Sequence, residues 1–242
     1  MILHSILIYI LVVIIFVFAL VYLGVLWIIG LFNKKIRDAG AFYFTVYGSR
    51  FLLFACGAKV SYSGLENLSC DRPVLYVCNH RSIFDILLTY SVLTRQTGFV
   101  AKKQLKKIPV LNFLMVFLHC TFIDRQNPRE GIKAIFDAIE NIKLGKSMFI
   151  FPEGTRNKNP DFSDLLPFHD GSFKIAQRGK CPVVPIAIKN SDGIFEKHIP
   201  FVKTTNVSFT VGEPVDLGSL EGDNKKHPGK YFSKIISEML MN

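Results

Sequence analysis

From Ser5 to Phe32 the chain carries no Asp, Glu, Lys, Arg or His. No other stretch constrains the fold as strongly. About 20 apolar residues cross a hydrocarbon core of roughly 30 Å. Residues 5–32 are therefore long enough to span a bilayer with tilt, or to enter it and turn back at Gly24 or Gly30. A cleaved signal peptide fits poorly, because no Lys or Arg precedes the run and the run exceeds the usual apolar region of such peptides. A soluble core helix would have to be apolar on every face over this length. Lys34, Lys35 and Arg37 follow the run, whereas only His4 and the amino terminus precede it. The positive-inside bias thus expects the rest of the chain on the cytoplasmic face of the membrane, with a bacterial inner membrane as the expected setting. Ala39–Ala58 is rich in Phe and Tyr but carries Arg50 in its middle, which favours an interfacial helix at 39–56 over a second span. The expected organisation is a membrane anchor over residues 1–58 and a catalytic domain over residues 59–242.

The net charge is +10. Beside a membrane anchor, anionic lipid is the natural partner of a basic chain, at about 1 kcal/mol per surface Lys or Arg. Nothing resembles a helix-turn-helix, an RNA-binding sheet or a zinc finger, so nucleic acid is not an expected partner. The five cysteines are odd in number, widely spaced and without a Cys-x-x-Cys pair. That pattern supports neither a disulfide framework nor a metal site.

Past residue 58 short β-rich runs recur at 59–63, 74–78, 98–101, 120–123, 147–151, 183–188 and 207–211, with helical periodicity between several of them. In Arg129–Leu144, Ile132, Ile135, Phe136, Ile139 and Ile142 form one stripe, and Gly145 is placed to cap its end. Residues 157–168 and 216–228 read as loops. Strands alternating with helices predict an α/β fold, a mostly parallel sheet flanked by helices behind the N-terminal membrane segment.

Ligands of such sheets bind beyond the carboxyl ends of the strands. Three strands here run into polar clusters: Asn79-His80-Arg81-Ser82, Asp124-Arg125, and Pro152-Glu153-Gly154-Thr155-Arg156. In a parallel sheet all three meet at one edge. Histidine, with an ordinary pKa near 6.5, can take and return a proton at neutral pH. Asp85 can reach a ring nitrogen of His80 from the first turn of the next helix, fixing the tautomer. On spacing alone the pair reads equally well as a helix cap beside a packed histidine. No Gly-x-Ser-x-Gly elbow is present. Cys78 can be paired with His80 on one strand face or be an inert strand thiol, and Ser82 is close in sequence without a defined role. Without an enzyme nucleophile, His80 would act on a substrate hydroxyl attacking an activated acyl group. Pro152 and Gly154 constrain a turn that exposes Glu153, Thr155 and Arg156. Arg156 is a fork for phosphate or carboxylate, and Glu153 can bind a substrate hydroxyl or hold an arginine. Arg125 is a second phosphate candidate. Lys102, Lys103, Lys106 and Lys107 form a basic run that is either a solvated face or a phosphate- or membrane-facing one.

With these residues in hand, the chain resembles the glycerolipid acyltransferases, and among them the 1-acyl-sn-glycerol-3-phosphate acyltransferases. Four blocks correspond in order: residues 79–85 (a His-x4-Asp element), Phe122-Ile123-Asp124-Arg125, Phe151-Pro152-Glu153-Gly154-Thr155-Arg156, and Val184-Pro185-Ile186-Ala187-Ile188. Ala101-Lys102-Lys103-Gln104-Leu105 with Ile108-Pro109 is also similar. The resemblance covers roughly residues 59–215. It implies transfer of a fatty acyl group from a thioester, acyl-CoA or acyl carrier protein, to the sn-2 hydroxyl of lysophosphatidate. No cofactor is implied beyond that co-substrate. It further implies His80 as base, Asp85 as its orienting partner, and Arg125, Glu153, Gly154 and Arg156 at the acceptor. Asn79, Thr155 and Lys102 join the expected substrate-binding set. Two readings compete: the same chemistry on another lysophospholipid or aminolipid, and a non-catalytic lipid-binding protein of the membrane surface.

Overall fold

The computed structural model describes residues 1–124 and 127–241. Fifteen helices and strands follow in chain order: α1 (Ile2–Phe32), α2 (Lys34–Ala55), β1 (Ala58–Ser63), β2 (Leu75–Cys78), α3 (Phe84–Val92), β3 (Thr97–Lys102), α4 (Pro109–Phe117), β4 (Thr121–Ile123), α5 (Pro128–Lys143), β5 (Ser147–Ile150), α6 (Lys174–Gly179), β6 (Val183–Lys189), β7 (Thr205–Val211), α7 (Gly222–Lys226) and α8 (Pro228–Met241). The strands form one sheet in the order β1-β7-β6-β2-β5-β3-β4. β6 and β2 to β5 run parallel, and β7 returns antiparallel to β6 with β1 parallel beside it. The carboxyl ends of β2, β3, β4, β5 and β6 therefore share one edge.

Alternation along the central strands divides the core into two layers. Tyr76, Cys78, Phe149, Val184, Ile186 and Ile188 face α1 to α4. Leu75, Val77, Met148, Ile150, Val183 and Ala187 face α5, α6 and α8. Because both faces are covered, these strands read as continuous apolar runs rather than alternating ones.

The stripe expected on α5 is only partly inward. Ala134, Ala138, Ile139 and Ile142 are buried, while Ile132 and Phe136 stay exposed. The helix presents its small alanines where it meets the sheet, and Phe136 lies instead under the Arg178 guanidinium, its centroid 5.4 Å away. Gly145, at φ 85, ends α5. Its N–H reaches Ile142 O and that of Lys146 reaches Asn141 O, which is the double bond of a Schellman end. Residues 157–168 lack regular structure as expected, but 216–228 contain α7 and a short 3-10 turn at Leu217–Ser219, a correction to the loop reading. Gly and Asp in that stretch open the helix at Gly222 and Asp223 rather than preventing it.

α1 is the one helix among the described residues that is long and apolar enough to cross a membrane, and 17% of its most apolar window is buried. It nevertheless touches the rest of the chain along its length. His4 bonds Ala55 O at 3.0 Å, Ser5 Oγ accepts the Val202 N–H at 3.0 Å, and Tyr22 stacks on Phe44 of α2. Leu20, Leu23, Gly24 and Trp27 line an apolar cleft with Pro109, Val110 and Phe113 of α4. One polar cluster fastens α2 to the α/β domain. Asp38 accepts from His119 Nε2 at 2.7 Å, and Lys146 Nζ donates to His119 Nδ1 at 3.1 Å. An ammonium only donates, so His119 is neutral with its proton on Nε2. Burial lowers its pKa, with Asp38 opposing.

Candidate active site

The strand β2 ends at Cys78, and the next two residues leave the sheet in different ways. Asn79 is buried and continues the ladder with its side chain: its Nδ2 donates to Ile188 O at 2.8 Å, and its Oδ1 accepts the Ile188 N–H at 2.9 Å. This ties the end of β2 to the end of β6. His80 then projects at the sheet edge with its side chain 17% exposed. Its Nδ1 lies 2.9 Å from Asp85 Oδ2.

Asp85 sits in the first turn of α3 and is fully buried. The same Oδ2 accepts the backbone N–H groups of Arg81 and Ser82, each at 2.8 Å. Three donors on one oxygen hold a buried carboxylate that would otherwise be costly. The helix N-terminus adds favourable partial charge. A carboxylate oxygen only accepts, so Nδ1 of His80 carries a proton, and in the neutral ring Nε2 keeps its lone pair. The helix-cap reading of Asp85 is thus half true: it does bind backbone N–H groups, and it binds His80 with the same atom.

The other face of the His80 turn rests on the turn after β5. Glu153 is 4% exposed, and its oxygens accept the His80 N–H at 2.7 Å and the Leu166 N–H at 3.0 Å. Burial pushes its carboxyl up to about 7, while those two bonds and His80 pull the other way. The Asn157 N–H donates to His80 O at 2.6 Å. Phe151 stacks on the imidazole, centroids 3.9 Å apart and planes 16° apart. Gly154 adopts φ 75, a left-handed conformation that a residue with a Cβ takes only with strain, and this lets the turn close.

The sequence-derived set separates accordingly. His80 and Asp85 meet, and Thr155 and Arg156 are exposed beside them. Asn79 and Glu153 are both buried with their polar atoms engaged by backbone groups, Asn79 by Ile188 and Glu153 by His80 and Leu166. Gly154 shapes the turn. Lys102 is exposed at the end of β3, on the same edge. Within its basic run Lys103 pairs with Glu130 and Asp124, and Lys106 lies over the Phe122 ring. Arg125 lies outside the described residues. Cys78 is fully buried, its thiol donates to Asn79 Oδ1, and burial raises its pKa well above the ordinary value, so the inert reading holds.

Sequence reasoning missed the segment after β6. Arg81, 5% exposed, pairs through Nε and an Nη with Asp192 Oδ2 at 3.2 and 3.1 Å and also donates to Asn159 O. Glu196 accepts from Ser82 Oγ at 2.6 Å, the Ile83 N–H at 2.8 Å and Arg156 Nη1 at 3.0 Å. Asp192 and Glu196 lie more than 100 positions from the His80 turn, and no local pattern announces them.

The family model described as acyltransferase matches residues 59–189. The chain belongs to the acyltransferase family. Among curated relatives it is 30% identical to the 1-acyl-sn-glycerol-3-phosphate acyltransferase of Saccharomyces cerevisiae over 76% of this chain and 59% of that protein. It is 29% identical to the protein of the same name from Borreliella burgdorferi, over 72% of this chain and 69% of that one. The stretch shared with the yeast relative is thus less than two thirds of that protein's length. The crystal structure titled 1-acyl-sn-glycerophosphate (LPA) acyltransferase, PlsC, from Thermotoga maritima superposes with a TM-score of 0.80 at 23% identity, covering 99% of this chain and 95% of that one. At that identity the match bears on the fold, and it extends to α1 and α2 as well as to the α/β domain of the acyltransferase.

Proposed function

We propose that this acyltransferase moves a fatty acyl group from a thioester, acyl-CoA or acyl carrier protein, to the sn-2 hydroxyl of 1-acyl-sn-glycerol-3-phosphate, giving phosphatidate. The observation that carries the reading is the 2.9 Å contact between His80 Nδ1 and Asp85 Oδ2, which leaves Nε2 as a base at the sheet edge. The names of the relatives in Saccharomyces cerevisiae and Borreliella burgdorferi support the choice of acceptor.

In this mechanism Nε2 takes the proton of the acceptor hydroxyl as its oxygen attacks the thioester carbonyl. The imidazolium that forms is stabilised by Asp85. The tetrahedral intermediate collapses by breaking the C–S bond, and the leaving thiolate takes the proton from Nε2. Ester and thiol leave, and His80 returns to its starting tautomer. The enzyme supplies no nucleophile, in keeping with the packed Cys78 and with a Ser82 hydroxyl committed to Glu196. Arg156, half exposed beside this edge, is assigned to the acceptor phosphate, with Thr155, Lys102 and Arg125 as further acceptor-side residues.

The outward face of α1 is assigned to the membrane. Because His4, Ser5 and the Leu23–Trp27 region all contact the remainder of the chain, the helix lies along the domain and meets lipid with its free side. The cations at Lys34, Lys35 and Arg37 support a cytoplasmic setting for the α/β domain.

The test is thiol release by purified protein in mixed micelles with a panel of lysolipids and both donor types. Lysophosphatidate is expected as the best acceptor, and His80→Ala is expected to abolish turnover in a folded protein. Turnover of the His80→Ala variant at the wild-type rate would falsify the mechanism. Lipid binding without thiol release would leave a non-catalytic binder.

A further inference from the structure

Glu196 lies beyond the span matched to the family and outside every motif of the sequence, yet its carboxylate gathers three donors of the site. Oε2 accepts the Ser82 hydroxyl. Oε1 accepts both the Ile83 N–H and Arg156 Nη1. The Ser82 hydroxyl in turn accepts the Phe84 N–H at 3.0 Å, so it caps the start of α3. That helix carries Asp85. Glu196 thus touches the helix that orients His80 and the arginine assigned to the acceptor.

The two side chains differ in exposure. Glu196 is 17% exposed, whereas Arg156 is 50% exposed. An exposed arginine samples many rotamers, and holding it still costs entropy. Pinning one Nη to a sheltered carboxylate removes much of that freedom before substrate arrives. A guanidinium has five N–H donors, and one bond to Glu196 leaves the others for an anion. Glu196 is itself held by groups of the His80 turn, so the arginine is fixed relative to the base rather than to a distant loop.

We propose that Glu196 is a positioning residue that sets selectivity for a phosphate-bearing acceptor by holding Arg156 in register with His80. The proposal rests on the acyl-transfer reading above. It predicts an effect on how the enzyme distinguishes acceptors, beyond any general effect on folding or rate.

The experiment compares kcat/KM for 1-acyl-sn-glycerol-3-phosphate with that for 1-acylglycerol, the same acceptor without its phosphate. Both are measured on one preparation, so the folded fraction cancels in the ratio. In Glu196→Gln the ratio is expected to fall about tenfold, the value of one charge-assisted hydrogen bond, through a raised KM for the phosphorylated acceptor. Glu196→Asp keeps the charge but withdraws it by one methylene. It is expected to lower the ratio too, and it serves if the glutamine variant does not fold. On an Arg156→Gln background, Glu196→Gln is expected to change the ratio no further, because its action passes through Arg156. Equal losses on both acceptors, or an undiminished loss in the Arg156→Gln background, would overturn the inference while leaving the proposed reaction standing. A wild-type enzyme with no preference for the phosphorylated acceptor would overturn the proposed acceptor and this inference together.

Discussion

Replacing Asp85 by Asn removes one charge and very little else. The carboxamide oxygen can occupy the place of Oδ2 and accept from His80 Nδ1 and from the Arg81 and Ser82 N–H groups, as Oδ2 does now. The amide nitrogen then takes the place of Oδ1, which has no hydrogen-bond partner among the described residues. Folding should therefore weaken by about 1–3 kcal/mol, the cost of a buried amide donor left without an acceptor. The transition state loses more. With Nδ1 and Oδ2 2.9 Å apart, the centres of the imidazolium and carboxylate charges lie ~4 Å apart. At an effective dielectric of about 20 their attraction is about 4 kcal/mol. Since each ~1.4 kcal/mol is a factor of ten, kcat should fall by about three orders of magnitude. KM for the acceptor should hold, because Asp85 is buried and does not reach the substrate. The assay is thiol release under acceptor and donor saturation, with thermal unfolding followed on the same preparation. Asp85→Ala is the companion variant. It strands two buried N–H groups at about 1–3 kcal/mol each, so it should lose stability as well as rate. A folded Asp85→Asn protein within fivefold of the wild-type kcat would refute the assignment of Asp85 as the group that stabilises charge on His80.

Phe151→Ala removes the ring stacked on His80, and kcat is expected to drop more than acceptor KM rises, with a stacking loss of about 0.5–1.5 kcal/mol beyond buried area; steady-state kinetics beside a melting curve separate the two effects. Glu153 has an ordinary value of 4.5 that burial raises to about 7, so the folded state holds a proton that the unfolded chain releases. Stability should accordingly fall as pH rises from 4.5 to about 7, by about 3 kcal/mol for that group, and Glu153→Gln should flatten the slope of unfolding free energy against pH in this window. His119 has the opposite sign: burial favours its neutral form between Asp38, Arg37 and Lys146, so its contribution is full above its ordinary value of 6.5 and lost as pH falls below it. His119→Gln should reduce acid sensitivity there, measured by denaturant unfolding at a series of pH values.

Much of the sheet was legible because both its faces are covered. A buried parallel strand has to be apolar throughout, and the seven β-rich runs coincide with the seven strands to within two residues at either end. The His80–Asp85 pair was legible as a possibility, since five positions link the end of a strand to the first turn of the next helix. What periodicity could not reveal was which side of a polar residue faces water. Asn79 and Glu153 look like surface ligands in a string of polar residues, but the ends of parallel strands leave backbone groups unpaired, and these two side chains satisfy them. The outward turn of Ile132 and Phe136 has a similar origin, because the alanines of α5 set its closest approach to the sheet. Glu196 and Asp192 stayed hidden for a simpler reason. Their meaning depends on partners that only the fold brings near.

These contacts fit the proposed mechanism, in which the enzyme supplies no nucleophile. Direct attack by a substrate hydroxyl requires the base to be aimed before the substrate binds, since no covalent intermediate holds the acyl group in place. The His80 turn is fixed from three directions. β6 grips Asn79 through Ile188, the turn after β5 grips the His80 N–H and C=O through Glu153 and Asn157, and α3 grips the ring through Asp85. The segment after β6 adds Asp192 on Arg81 and Glu196 on Ser82, the two residues that follow His80. A few positions on, Val202 of this segment bonds Ser5 of α1. The helix assigned to lipid and the turn assigned to chemistry are thus joined through one short stretch of chain. An acceptor drawn from the membrane would meet a base already set in place by the same segment that seats the anchor.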